Sequence, residues 1–313
     1  MSIRSDVLKH LSEYGVVHCH VRSASLIAFS CQKWDVDDAL EPRDTMLFFH
    51  DPISAKAGGW AARGWDMMTG VHGCPCYNPD ERWIFVSDPG EVYVLGQGEE
   101  FEEKILKGKI YISFLKCIAD GYAYAVGPGR NVFKRQTKNK WICLSTKAMQ
   151  SKKGEDPGDI GFQSIDGFSD NDIYACGGIG DLWHYDGMAW DSIDVQTNAN
   201  LENICCAPDG NVYITTNANL MVVGRDDHWN LVDQEVGDYI LEEMVHFNDT
   251  VYVSSHEKIF EIKNDLLVET DLKLPKMDSY AHIAAGDGIF VVAGIHCAYM
   301  YNGKSWIKIF DFS

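Results

Sequence analysis

The stretch NDIYACGGIGDLWHYDGMAW, residues 171–190, decides the fold. It reads as two short strands with a glycine break between them, then a tight turn running into a tryptophan. Alternate side chains of a strand point to opposite faces. A single meander this rich in aromatics cannot bury both of its faces, so its meaning depends on whether it recurs.

Six copies are plain. With Tyr174 as the anchor, equivalent stretches are ERWIFVSDP at Phe85, GYAYAVGPG at Tyr124, GNVYITTNA at Tyr213, DTVYVSSHE at Tyr252 and DGIFVVAGI at Phe290. The anchor numbers advance by a near-constant step. Only the interval from Tyr124 to Tyr174 is longer, and it holds an insertion around QSKKGEDPGDIG. A second aromatic follows sixteen residues after four anchors (Phe101, Trp190, Trp229, Trp306) and seventeen after a fifth (Trp141); Val268 takes that place in the sixth unit. HYDGMAW and MYNGKSW set Asp-Gly and Asn-Gly between apolar strands, which predicts two-residue type I′ hairpins. PDGN at 208–211 predicts another turn. Each unit reads as four strands, which around Tyr174 are roughly 162–168, 172–177, 181–186 and 189–195.

A four-stranded meander of about 40 residues, repeated radially, predicts a β-propeller. Neighbouring blades stacked face to face bury what one meander leaves exposed, and the recurring aromatics belong between them. The chain resembles β-propeller proteins as a class over almost its whole length. IYACGG followed by HYDGMAW is similar to a kelch blade, although this unit alone of the six has the double glycine and the period is short for kelch. A WD40 blade carries Trp-Asp at the end of its third strand, whereas Trp190-Asp191 opens the fourth. The Asp-box of sialidase-like propellers is not matched. The resemblance is to a degenerate bacterial-type propeller, with no single close family.

Residues 1–66 supply a seventh unit. GVVHCHVR, SLIAFSC and TMLFFHD read as strands and GGWAARGW as a fourth, with Phe29 as anchor and Trp60 or Trp65 in the tryptophan role. The step from Phe29 to Phe85 exceeds the regular period, and QKWDVDDALEPRD holds most of the excess. The expected fold class is all-β: a seven-bladed β-propeller of four-stranded antiparallel blades, with six blades as the alternative. A helical extension is expected over residues 1–13. A single propeller domain is expected over 14–313, with blades about 14–66, 67–108, 109–149, 160–198, 199–237, 238–277 and 278–313.

Bulk properties narrow the function. The formal charge is −19, from 27 basic and 46 acidic residues. Such a surface repels nucleic acid and anionic membranes and attracts basic partners. No apolar run approaches the eighteen residues of a membrane span, and MSIRSDVLKHLSEYG lacks the features of a secretory signal. The ten cysteines, without zinc-knuckle spacing, read as free thiols in a reducing cytoplasm.

The links between a blade's second and third strands, and those between blades, open on one end of a propeller. Both long insertions map there. The 32–44 loop offers Trp34, Asp35, Asp37, Asp38 and Glu41, an aromatic ringed by carboxylates that suits a basic protein surface. The 150–161 loop adds Glu155, Asp156 and Asp159. These eight residues are the expected partner-binding set.

Signs of chemistry are sparse. HCH at 18–20 puts His18 and His20 on one side of a strand, with Cys19 facing away. Further metal ligands would have to come from other blades; His50, His72, His282 and His296 are candidates among which spacing does not select. Packed, channel-facing histidines are the expectation, with no metal and no cofactor. Cys76, Cys117, Cys205 and Cys206 fall near the ends of predicted first strands, where small apolar residues relieve crowding. No phosphate loop, nucleophile elbow or zinc-protease motif is present. The reading that results is a non-enzymatic cytoplasmic binding protein, in its concrete form an immunity or antitoxin-type protein that covers a basic toxin domain such as a nuclease. The alternatives are a propeller hydrolase or lyase acting on a small molecule at the channel mouth, and a structural subunit of a larger complex.

Overall fold

The computed structural model describes residues 3–33, 43–51, 59–108, 110–149 and 160–313. Among these residues the chain forms seven antiparallel sheets, each of four consecutive strands, preceded by helix α1 (Ile3–Leu11). The blade around Tyr174 has strands Phe162–Ser169, Asp172–Gly177, Asp181–Tyr185 and Trp190–Ile193, close to the bounds expected from its sequence. The first strands of the seven blades are Tyr14–Ser23, Val71–Cys76, Phe114–Cys117, Phe162–Ser169, Leu201–Cys206, Leu241–Phe247 and His282–Gly286. Each touches the next around the circle, and the seventh touches the first. The fold is a closed seven-bladed β-propeller.

The anchors do what the repeat requires of them. Phe29, Phe85, Tyr124, Tyr174 and Phe290 are 0% exposed, and Tyr213 and Tyr252 are 6% exposed. Tyr174 packs with Ile204, Ile214 and Val222 of the following blade. The second aromatics lie on the outermost strands, where one side of the sheet faces water. Trp190 is buried, but Phe101, Trp141, Trp229 and Trp306 only pack partly against their clusters, and Val268 is exposed. In the first blade Trp60 takes the tryptophan role by stacking on Phe29 at 6.4 Å, while Trp65 stacks on Tyr93 of the second blade.

Tyr174 separates the apolar from the polar part of this packing. Its ring stacks on His184 at 4.4 Å and meets Trp229 at 5.9 Å. Its hydroxyl is buried with no hydrogen-bond partner among the described residues. An unsatisfied buried hydroxyl costs free energy, whereas loss of the ring opens a cavity. Tyr174→Phe is therefore expected to leave stability unchanged or raised, and Tyr174→Ala to lower it by about 3–5 kcal/mol, as for other buried aromatics. Urea unfolding of the two variants checks this.

The turns differ in one respect from the expectation. HYDGMAW and MYNGKSW do not form two-residue type I′ hairpins. Asp186 and Asn302 instead use their side-chain oxygens to accept two backbone N–H groups each, from Met188 and Ala189 and from Lys304 and Ser305. Only the glycine that follows has positive φ in each case, so the loop is longer and is held by the side chain. Two-residue turns with both φ positive occur at Gln97-Gly98, Asn248-Asp249, Asn264-Asp265 and Asp287-Gly288. Asn and Asp tolerate the left-handed region well enough to occupy both positions.

Among the described residues no strand is exchanged between the termini to close the ring. An apolar seam closes it instead. Val16, Cys19 and Phe29 of the first blade pack with Val291, Ala293, Met300 and Phe310 of the last, and Leu11 of α1 joins the same cluster. The Val16 amide also donates to the Ile295 carbonyl at 2.9 Å.

Candidate functional site

The chain enters each innermost strand at one end of the ring, the entry end, and turns back by hairpins at the other, the hairpin end. The innermost strands enclose a cavity of ≈ 400 Å³. In its entry half, His18, Glu243 and His282 converge from the first, sixth and seventh blades. Glu243 Oε1 lies 3.0 Å from His18 Nδ1 and 3.0 Å from His282 Nδ1, and Glu243 Oε2 accepts the Ile283 amide at 2.9 Å. Burial opposes ionisation of Glu243, but the hydrogen bonds from the two histidines outweigh it and hold the carboxyl at about 2.

Two further histidines flank this trio. The His72 ring lies 5.7 Å from that of His18, and His72 Nε2 is 3.7 Å from Asp88. Burial lowers the pKa of His72. His20 packs edge-on against Phe85 and contacts Ser30 Oγ at 3.2 Å. Burial, with His18 nearby, lowers its pKa to about 3, so it is a neutral packing residue. Cys19 faces away into the closing seam, as strand alternation requires. Of the scattered histidines, His72 lines the cavity, and His282 joins His18 and Glu243 at its edge. His50 stacks on Trp60, and His296 sits by Asp278.

The hairpin half of the channel carries a compensated charge. Lys116 Nζ donates to Asp166 Oδ2 at 2.8 Å, and the Cys206 amide donates to the same oxygen at 2.9 Å. All ten cysteines are free. Burial pushes the Cys205 thiol up to about 12 and raises those of Cys76, Cys117 and Cys206. These are protonated packing groups at neutral pH, as their crowded positions suggested.

Trp34, Asp35, Asp37, Asp38, Glu41, Glu155, Asp156 and Asp159 lie outside the described residues. In the described loops, exposed acids outnumber exposed lysines at both ends of the ring. At the hairpin end, Asp80, Glu81, Asp170, Asp186, Asp209, Asp226, Asp227, Asp249 and Asp287 are exposed, against exposed Lys138, Lys140, Lys263 and Lys304. At the entry end, Asp194, Asp233, Glu235, Asp238, Glu257, Glu269, Asp271 and Asp278 are exposed, against exposed Lys107, Lys147, Lys273 and Lys276. Turn chemistry concentrates the acids: Asp226, Asp249, Asp265 and Asp287 all occupy positive φ, a role Asn could fill without charge.

Glu243 was not foreseen from sequence. A register shift between Leu241 and Met244 breaks the two-residue alternation of its strand, so Glu242 and Glu243 do not fall on the faces a regular strand would assign. The signal available was an acidic pair, LEEMVHF, on an innermost strand.

Comparison with known proteins identifies the chain's relatives. It is 30% identical over 265 residues to the immune protein Tsi7 of Pseudomonas aeruginosa, a match covering 80% of this chain and 85% of that protein. The chain belongs to the Tsi7 immune-protein family. No family model matches it. Solved structures similar to this Tsi7 relative include a streptogramin B lyase (13% identity, TM-score 0.66, 90% of this chain and 91% of that one). Another is a catalytically inactive virginiamycin B lyase from Staphylococcus aureus with quinupristin (10% identity, TM-score 0.67, 93% and 92%). A third is the WD40 β-propeller domain of Doa1 (12% identity, TM-score 0.61, 96% and 94%). At these identities the likeness is one of fold alone. The Tsi7 relationship is the one that bears on function.

Proposed function

We propose that this chain is a cytoplasmic immunity protein that neutralises a cognate toxin by binding it, and that the bound toxin domain is basic. The observation that carries the reading is the relationship to an immune protein across 85% of that protein's length. The charge of −19 supports a basic partner, because complementary potentials raise encounter rates and suppress wrong partners. The exposed carboxylates of the hairpin end support docking there, and the acidic 32–44 and 150–161 loops are the alternative face. A rigid ring suits this role, since a pre-organised surface loses little conformational freedom on binding. Co-expression with its cognate toxin domain tests the proposal: growth is expected to be restored by this chain, and continued arrest would overturn the reading.

A further inference from the structure

We infer that the channel holds a divalent transition-metal site of the zinc class, formed by His18, Glu243 and His282. Their ligand atoms all lie within 4.8 Å of one another, and Glu243 Oε1 is 3.0 Å from each Nδ1. Zinc bonds of about 2.0–2.2 Å to nitrogen and oxygen set donors around one tetrahedral ion roughly 3.4 Å apart, so only small side-chain adjustments are needed. Two imidazoles and one carboxylate suit zinc and its first-row neighbours, not magnesium or calcium, which take oxygen ligands.

The surroundings fit this assignment. Three strands from separate blades hold the trio, and the Ile283 amide fixes the second carboxylate oxygen, an outer-shell contact of the kind that orients metal ligands. The three side chains are half-buried, at 30%, 20% and 17% exposure, so a bound ion would keep a coordination position toward the cavity. His72 is a further imidazole beside His18, and its Nδ1 is shielded from solvent without a hydrogen-bond partner among the described residues. Without an ion, each Nδ1–Glu243 contact is a hydrogen bond. When the ion binds Nδ1, the single ring proton of each neutral imidazole moves by solvent exchange from Nδ1 to Nε2, with none released.

Calorimetric titration of the chelator-treated full chain with zinc chloride tests the assignment. One equivalent is expected to bind. Glu243→Gln and His282→Gln are expected to weaken binding by about 100-fold or more, whereas the exposed His256→Ala leaves it unchanged; near-ultraviolet circular dichroism verifies folding. Should a variant not fold, cobalt(II) added to the unaltered chain is expected to give a visible absorption band that one equivalent of zinc removes. Absence of zinc binding, equal affinity in the folded variants, or absence of the cobalt band overturns the site and shows a hydrogen-bonded trio only.

Discussion

Arg135→Ala and Glu103→Ala are each expected to lower stability by about 3–5 kcal/mol, the range for breaking one side of a buried ion pair. Glu103 lies on the second blade's outermost strand, Glu99–Lys104, and Arg135 on the third blade's Asn131–Thr137. Their side chains are 0% and 1% exposed and meet at 2.6 Å between Nε and Oε1. The Trp141 indole donates to the same oxygen at 3.2 Å, and the Asn139 amide donates to Oε2 at 2.6 Å. Removing Arg135 leaves the Glu103 carboxylate without its counter-charge, and removing Glu103 leaves the guanidinium and the Asn139 and Trp141 donors unpaired away from water. Replacing both by apolar groups strands neither charge, so Glu103→Leu/Arg135→Met is expected to be closer to the unaltered protein than the sum of the single losses. Urea unfolding in a double-mutant cycle reads this directly. Single variants within about 0.5 kcal/mol of the unaltered chain, the range of ordinary surface changes, would contradict it.

The second large effect is on association rate. Asn tolerates the positive φ that Asp226, Asp249, Asp265 and Asp287 adopt. Changing all four to Asn should keep the turns and remove four negative charges from one end. Association with the basic toxin domain is expected to slow about tenfold or more at low ionic strength. The difference should shrink in high salt as the Debye length falls to about 3 Å at 1 M. Neutralising Asp35, Asp37, Asp38 and Glu41 should change the rate far less. Stopped-flow measurement of both variant sets decides between the two ends, and the opposite ranking would move the contact to the entry-end loops.

The ring was legible because its main constraint is periodic. A blade must bury two faces, so aromatic anchors recur at a near-constant step, and Tyr124, Tyr174 and Tyr213 stand out even without an alignment. The channel trio was only half legible. The strand alternation of HCH put His18 and His20 together, but Glu243 is 225 residues from His18, and the bulge in its strand hides its direction. The Arg135–Glu103 pair is hidden for a related reason: it joins outer and middle strands of different blades, and no local pattern links them. The acidic hairpin end was legible residue by residue as turn chemistry. Its collective charge emerges only when closure brings seven sets of hairpins to one side.

The most direct test of the central claim is a stoichiometric one. The activity of its cognate toxin domain should be titrated with this chain in vitro. The account predicts loss of activity that is complete near one equivalent, with a stable complex on size exclusion. Undiminished toxin activity with the folded propeller in excess would contradict it.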